Sequence, residues 1–361
     1  MLQTFLFLLV FISVQINASE PQLKDLKING NFAIDVYARA ENARSLALGP
    51  DGWVFVGTRA DGRVYALAPD LNKDGRSDKV YTIASDLNMP NGVAFKNGDL
   101  YVAEISRIRI YRNIIENIKN PGPGESWGPN FPKEVHHGWK FIAFGPDGWL
   151  YVPVGAPCNV CAASDKYASI FKISPNGDRV EKVAQGVRNT VGFDWNPANN
   201  QLWFTDNGRD HMGDDIPPCE LNRVSKSGEH FGFPYCHGGV VVDPEFGKGR
   251  LCSQFTAPSF VFPAHSAPLG LRFIKAKTSL KGKIVVAEHG SWNRSSPIGY
   301  QVRALTLDGD KITHSQVLIT GFLQNGKAWG RPVDILELPD QSLLISDDLS
   351  GTIYRLVQIS N

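Results

Sequence analysis

Two adjacent histidines, His136 and His137, precede the segment FIAFGPDGWLYVPVG, in which an apolar run turns at Gly-Pro-Asp-Gly and resumes as alternating apolar residues. Successive residues of an extended segment point to opposite faces, so one of the two is expected to face a site. A neutral imidazole accepts a proton near neutral pH, and His137 is therefore a candidate general base for an alcohol substrate. A histidine hydrogen-bonded within its own loop is the alternative.

A second polar pair holds the equivalent place in the next similar segment, GVRNTVGFDW, where Arg188 and Asn189 precede the apolar strand. This equivalence predicts that Arg188 and His137 are neighbours. The fixed fork of donors on arginine suits a carboxylate or a polarised carbonyl, which favours a clamp for an anion or cofactor. A solvated surface arginine is the alternative.

The segment TDNGRDHMGDDIPPCELNRV concentrates five carboxylates, at Asp206, Asp210, Asp214, Asp215 and Glu220. Like charges at this density repel one another unless a cation or arginines offset them. Calcium takes about six to eight oxygen ligands from carboxylates and backbone carbonyls, and this loop can supply both. A merely solvated acidic loop is the alternative.

A separate stretch, DLNKDGRSD, matches the first half of an EF-hand loop, with Asp70, Asn72, Asp74 and Asp78 at ligand positions and Gly75 at the turn. The twelfth position of that motif is a tyrosine rather than a glutamate. The stretch therefore predicts a loop of structural role, either clamped by calcium or simply forming a turn.

Aromatic and basic residues follow a later apolar strand in AEHGSWNRSSPIGY, which contains His289, Trp292 and Arg294, and Arg331 precedes another strand in WGRPVD. A tryptophan offers a flat face on which a planar cofactor or a sugar ring can stack. A tryptophan that packs between strands is the alternative for Trp292.

The elements that must position these residues repeat along the chain as strand, turn, strand and polar loop. The starts lie 46 to 50 residues apart over the first four segments and 78 and 63 residues apart where loops are inserted. This period is typical of propeller blades, and the 35 glycines and 23 prolines fit a turn-rich all-β chain. We therefore predict a six-bladed β-propeller, with several β-sandwich domains as the alternative. The six segments start at Ser45, Asn91, Phe141, Val191, Leu269 and Pro332.

The 361-residue chain has a formal charge of +1, which shows no bias toward nucleic acid or a membrane surface. An apolar run from Leu2 to Ile16 ends in small residues near Ala18 and is too short to span a bilayer. We expect a signal peptide over residues 1–18, a single propeller domain over 19–361, and a secreted or periplasmic protein. An uncleaved membrane anchor is the alternative.

Five cysteines lie in the middle of the chain. In an exported protein, a short disulfide between Cys158 and Cys161 is favoured over half of a zinc site, because no second matching pair follows. Cys236 and Cys252 are the second candidate pair, and one cysteine stays unpaired.

The motifs VHHGWKFIAFGPDGWLYVPVG, GVRNTVGFDWNP, DNGRD, GDDIPPCELNRV, HFGFPYCHGG and AEHGSWNRS resemble the glucose/sorbosone dehydrogenase family, with the closest likeness to its sorbosone-dehydrogenase-like branch. The resemblance spans nearly the whole chain after the first apolar run. It implies a six-bladed propeller that holds pyrroloquinoline quinone (PQQ) and Ca²⁺ over the central channel. Such a protein oxidises a sugar, a polyol or a sorbosone-like aldehyde by hydride transfer to the quinone.

The resemblance also implies roles for residues at matching positions. His137 matches the catalytic base, Arg188 matches the residue that polarises the quinone carbonyl, and Asn189 lies beside it. Backbone carbonyls of Gly208 and Arg209 fall where the family binds its catalytic calcium.

Three further positions are matched in the same way. Glu220 falls on a ligand of a second, structural calcium, and Arg331 on an arginine that grips the quinone carboxylates. Arg294 stands near the place of a cofactor-binding lysine that this chain lacks. The glucose-oxidising members also have aspartate where this chain has His136.

Two other functions remain open from the residues alone. One is a calcium-dependent lactonase, because six-bladed propellers with a metal in the channel also hydrolyse lactones. The other is a non-enzymatic propeller that only binds a ligand.

Overall fold

The computed structural model describes residues 21–359, so the expected signal peptide lies outside the described residues. This part of the chain contains β-strands and three short 3₁₀ turns, at Leu23–Asp25, Pro50–Gly52 and Cys252–Gln254, and no α-helix. Within it, no helix has the length and apolarity that a membrane crossing requires.

Six sheets of four or five strands are the blades of a propeller, as the repeat predicts. Each predicted segment lies at or just before the innermost strand of one blade. Two strands precede blade 1 in the chain, β1 (Lys27–Ile28) and β2 (Phe32–Arg39). The strands of blades 1 to 3 are β3 (Ala43–Leu48), β4 (Val54–Thr58), β5 (Val64–Leu67), β6 (Val80–Ala84), β7 (Gly92–Lys96), β8 (Asp99–Ala103), β9 (Ile108–Tyr111), β10 (Glu125–Trp127), β11 (Ala143–Phe144), β12 (Leu150–Val154), β13 (Ser169–Ile173) and β14 (Val180–Gln185).

Blades 4 to 6 carry the longer insertions. A segment inside blade 4 adds β18 in parallel to β14 of blade 3 and forms the small β19–β20 hairpin, and β26 pairs with β27 outside the blades. The strands of this half are β15 (Phe193–Trp195), β16 (Leu202–Asp206), β17 (Cys219–Arg223), β18 (Glu229–His230), β19 (Cys236–His237), β20 (Val241–Val242), β21 (Phe260–Phe262), β22 (Pro268–Phe273), β23 (Ile284–Glu288), β24 (Gln301–Asp308), β25 (Lys311–Thr320), β26 (Leu323–Gln324), β27 (Lys327–Ala328), β28 (Pro332–Glu337), β29 (Leu343–Asp347) and β30 (Thr352–Gln358).

The ring closes by combining the two ends of the chain in one blade. β2 pairs antiparallel with β30 and so becomes the outermost strand of blade 6, while β1 extends blade 5 by pairing with β25. Because the backbone hydrogen bonds of β2 depend on β30, blade 6 is complete only when both ends of the chain are folded.

Apolar layers between neighbouring blades form the core. Between blades 3 and 4, the rings of Phe141 and Phe193 meet edge to face with centroids 4.8 Å apart, and both side chains are buried. Full burial of one such side chain stabilises the fold by about 1.5–3 kcal/mol.

Two disulfides lie in the loops of blades 3 and 4, each within a single loop. Cys158 is bonded to Cys161 and Cys236 to Cys252, while Cys219 is a buried free thiol. Both predicted pairs are confirmed.

Glycines allow the innermost strands to approach one another closely around the channel. A Cβ atom added at Gly192 would lie 2.2 Å from the carbonyl oxygen of Leu269 in the next blade, and one at Gly270 would lie 2.3 Å from a carboxylate oxygen of Asp334. Real Cβ atoms essentially never approach heavy atoms this closely. The spacing between blades 4, 5 and 6 therefore depends on the absence of side chains at these two positions.

We expect Gly192→Ala to destabilise the propeller by about 1–3 kcal/mol, because the new methyl group pushes blade 5 away from blade 4. The measurement is the thermal unfolding temperature. Gly309→Ala is the matched control, because nothing lies within 4 Å of its added Cβ and only the left-handed backbone is strained. An unfolding temperature of Gly192→Ala equal to that of the wild type would contradict this account of blade spacing.

Candidate active site

A cavity of about 320 Å³ is lined by loops that adjoin the inner strands of blades 1, 3, 4, 5 and 6. Its lining includes six of the residues that the sequence predicts for catalysis or cofactor binding. These are His137, Arg188, Asn189, Gly208, Trp292 and Arg331.

His137 is held as a neutral imidazole in the cavity wall. Its Nδ1 atom lies 2.9 Å from the carbonyl oxygen of Ala156. A carbonyl can only accept, so Nδ1 carries the hydrogen and Nε2 keeps a free lone pair. Burial, followed by the charge of Arg188 and by His136, lowers the pKa of His137 to about 2. His136 is exposed and does not line the cavity, so one histidine of the pair faces the site, as predicted.

The backbone at His137 is bent to bring the ring into this place. Its φ of +51° lies in the left-handed region, which is uncommon for residues other than glycine. A Cβ atom added at Gly155 would lie 2.6 Å from the Cβ atom of His137, so only a glycine leaves room for this bend.

Arg188 is 3% exposed, and each of its five N–H groups has an acceptor. Its backbone N–H also donates to a buried carboxylate, that of Asp206, at 2.8 Å, and Asn189 N donates to the other oxygen of that carboxylate at 2.6 Å. The five side-chain acceptors are Asn159 O for Nε (2.8 Å), Asn207 O and Gly208 O for Nη1 (3.1 and 2.9 Å), and Asn159 Oδ1 and Asp210 Oδ2 for Nη2 (2.8 and 3.2 Å).

A second buried carboxylate, Asp348, joins blades 1, 5 and 6 beneath the cavity. It contacts Arg44 Nη1 at 2.9 Å, His289 Nε2 at 3.0 Å and Arg331 Nε at 3.0 Å. Burial alone would raise the pKa of Asp348, but His289, Arg44 and Arg331 outweigh it and hold that pKa well below its usual range. In the described part of the chain, the terminal nitrogens of Arg331 have no hydrogen-bond partner, so they are available to a ligand.

Arg59 is the remaining arginine of the cavity wall. It lies over the ring of Trp139 at 4.8 Å from the ring centroid, and no carboxylate within residues 21–359 forms an ion pair with it. The cavity is thus lined by four arginines and by only one carboxylate, that of Asp210. Its wall is positively charged and suits an anion.

Glu220, predicted as a calcium ligand, is buried opposite Asp206 on paired strands. It accepts hydrogen bonds from Gly238 N at 2.6 Å and Asn222 Nδ2 at 2.8 Å. Burial and then the charge of Asp206 raise the pKa of Glu220 to about 8. The side-chain carbonyl oxygens of Asn207 and Asn222 nearby are buried without a hydrogen-bond partner.

Four other predicted residues lie outside the cavity lining. Arg209 Nη1 binds Asp243 at 2.6 Å, and Arg294 binds the backbone oxygen of Asp214 and the carboxylate of Asp215. Arginine therefore offsets the charge of Asp215, while Ser295 N donates to Asp214 at 3.1 Å.

The EF-hand-like loop also lies apart from the cavity, on the outer part of blade 1. Asp70 accepts from Arg355 at 2.8 Å and Gly75 N at 3.0 Å, while Asn72 and Asp78 accept from backbone N–H groups of the same loop. Asp74 likewise accepts from the N–H of Arg76. These bonds fit the turn-forming alternative. In residues 21–359 no three His, Cys, Asp or Glu side chains form a group that could hold a metal ion.

Sequence reasoning missed several residues of the cavity and its surroundings. Arg44 lies directly before the first repeated segment, which starts at Ser45, as Arg331 lies directly before the sixth, so the repeat carried a signal for it. Arg59, Trp139 and Asn159 lie in loops with no repeated pattern, and no signal in the sequence marks them.

Comparison with known proteins places this chain in a family. A family model described as TrAA12-like matches residues 174–358, and a second, described as a domain of unknown function (DUF7133), matches residues 20–230. An uncharacterized protein of Borreliella burgdorferi is 34% identical over 98% of this chain and 95% of its own length. The aldose sugar dehydrogenase YliI of Escherichia coli is 25% identical over 80% of this chain and 75% of its own.

Among solved structures, the holo form of the pyranose dehydrogenase PQQ domain from Coprinopsis cinerea superposes with a TM-score of 0.79 at 17% identity. The superposition covers 92% of this chain and 96% of that domain, which supports the six-bladed fold. Because the first family model spans half of the chain, the chain belongs to the TrAA12-like family, and the resemblance to PQQ-dependent sugar dehydrogenases is confirmed.

Proposed function

We propose that this protein is a PQQ-dependent dehydrogenase that oxidises a sugar, a polyol or a sugar-derived aldehyde such as sorbosone. The observation that carries the proposal is the cavity wall, which combines four arginines with a neutral histidine whose Nε2 lone pair is free. The likeness to the aldose sugar dehydrogenase of E. coli and to the pyranose dehydrogenase domain supports it.

The charge of the cavity wall suits a planar, anionic quinone. PQQ carries three carboxylates, and Arg59 and the terminal nitrogens of Arg331 are donors without carboxylate partners. Trp292 lines the cavity yet is 73% exposed, so its flat face is open to a ring. When bound, the quinone would supply the acceptor for the hydride that leaves the substrate carbon.

His137 has the state required of the base. Because Ala156 O holds the Nδ1 hydrogen, Nε2 is the atom that takes the proton from a substrate hydroxyl. The low pKa of His137 keeps the ring neutral throughout the physiological range, but the burial and the Arg188 charge that lower it also weaken the imidazole as a proton acceptor. The negative charge of a bound quinone would raise that pKa toward the range in which a general base is effective.

Arg188 contributes a fixed positive charge. With five acceptors around its guanidinium, the side chain does not have to reorganise while negative charge develops in the cavity. Preorganised charge of this kind is often the largest contribution to catalysis.

We also propose that a calcium ion binds behind this arginine, held by two carboxylates together with amide and backbone oxygens. Asp206, Asn207, Gly208 and Glu220 line a void of about 10 Å³. The orphaned oxygen of Asn207 and the two carboxylates are hard oxygen donors of the kind calcium prefers. Calcium there would remove the cost of burying two neighbouring carboxylates. We also propose that residues 1–18 direct export and that the enzyme works outside the cytoplasm.

The direct test is turnover by the full chain reconstituted with PQQ and CaCl₂. We expect reduction of an artificial electron acceptor with at least one member of a panel of aldoses, polyols and sorbosone. The activity should be absent without the quinone. Quinone-independent lactone hydrolysis, with no oxidation of any panel member, would overturn the proposal in favour of a lactonase.

Replacing the base gives a sharper prediction. We expect His137→Ala to lower kcat by about 10²- to 10⁴-fold, the range for a lost general base, with quinone affinity little changed. His314→Ala, at an exposed histidine of β25, is the matched control and should keep wild-type turnover. Near-normal kcat of His137→Ala would exclude His137 from the proton transfer.

A further inference from the structure

We propose that Asn159, enclosed in the disulfide loop between Cys158 and Cys161, is the positioning residue for Arg188, and that this disulfide therefore serves the active site. The catalytic meaning of the inference depends on the proposed function, whereas its structural part does not.

Asn159 holds one whole edge of the Arg188 guanidinium. Its backbone oxygen accepts from Nε and its side-chain oxygen from Nη2, both at 2.8 Å. Two acceptors from a single residue match the planar fork of arginine and fix its rotation as well as its position.

The same side chain also fixes the other acidic partner of Arg188. Asn159 Oδ1 accepts from Asp210 N at 2.8 Å, and Asn159 Nδ2 donates to Asp210 O at 3.1 Å. Asp210 in turn contacts Arg188 Nη2 at 3.2 Å. Loss of the Asn159 amide would therefore release the backbone of Asp210 and remove one of the five acceptors of Arg188.

The loop that carries Asn159 contacts the base as well. Ala156, two residues before the disulfide, accepts from His137 with its oxygen and donates its N–H to the backbone oxygen of Arg188 at 2.8 Å. Cys158 and Val160 pack against the buried side chains of Ala156, Ala168 and Phe233. Ala156 and Asn159 thus connect His137 to Arg188, and the cross-link restricts the conformations of this short loop.

Removing the Asn159 side chain leaves Arg188 with its other acceptors. Asn207 O, Gly208 O, Asp210 and the backbone oxygen of Asn159 remain. The guanidinium stays buried but loses one of the two acceptors of Nη2, and Asp210, which supplies the other, loses its own contacts with the Asn159 amide. We therefore expect the loss of the Asn159 side chain to disturb the orientation of the Arg188 guanidinium rather than the folding of the protein.

The test compares Asn159→Ala and the double variant C158S/C161S with Val160→Ala, a matched control inside the same loop. We expect Asn159→Ala to lower kcat by about 10- to 100-fold, the loss expected for a charge-assisted hydrogen bond. KM should change less, and the unfolding temperature should stay close to that of Val160→Ala. The double variant should lose activity in the same direction, and Val160→Ala should keep it.

A measurement without quinone separates the two proposals. Modification of Arg188 by phenylglyoxal, mapped by mass spectrometry, should be slow in the wild type and in Val160→Ala and several-fold faster in Asn159→Ala. Equal labelling and equal kcat in Asn159→Ala and Val160→Ala would overturn the positioning role. Faster labelling together with no PQQ-dependent turnover in the wild type would uphold the positioning role and overturn the proposed function.

Discussion

The burial of one cation, the guanidinium of Arg188, organises the site. A charge that is 3% exposed is costly unless each of its donors has an acceptor. The acceptors come from the disulfide loop of blade 3 and from the loop that follows β16 in blade 4. Because these two loops must meet around Arg188, His137 and Gly208 are brought to the same wall of the cavity.

A second cluster organises another part of the cavity wall by the same principle. Asp348 is fully buried and is the common partner of Arg44, His289 and Arg331, which come from three different blades. Arg331 lies directly before β28 of blade 6, and β30 of that blade pairs with β2. Closure of the ring therefore also supports the strands near Arg331. The closure of the propeller and the position of the charged residues in the cavity therefore depend on each other. The glycines of the inner strands set how closely the blades can meet.

The sequence predicted the fold well because a propeller blade is a local unit. Strand, turn and strand lie next to one another in the chain, so their period shows without any knowledge of distant contacts. His137, Arg188 and Arg331 were found for the same reason, since each precedes an inner strand.

The rest of the site depends on contacts between distant loops. Arg294 binds residues of the acidic loop about 80 positions earlier in the chain, and carboxylate density alone does not distinguish such an arginine partner from a metal ion. The role of Asn159 could not be predicted from the sequence either, because it arises only where the disulfide loop contacts Arg188 and Asp210. A lone asparagine between two cysteines has no pattern that indicates this contact.

The central claim is that the arginine-lined cavity binds PQQ with the help of calcium. The most direct measurement is titration of the purified, metal-stripped protein with PQQ, with and without CaCl₂, followed by the absorbance of the quinone. We expect saturation at about one equivalent of quinone, dependent on calcium, as for a single cofactor site. No saturable change in absorbance under either condition would contradict it.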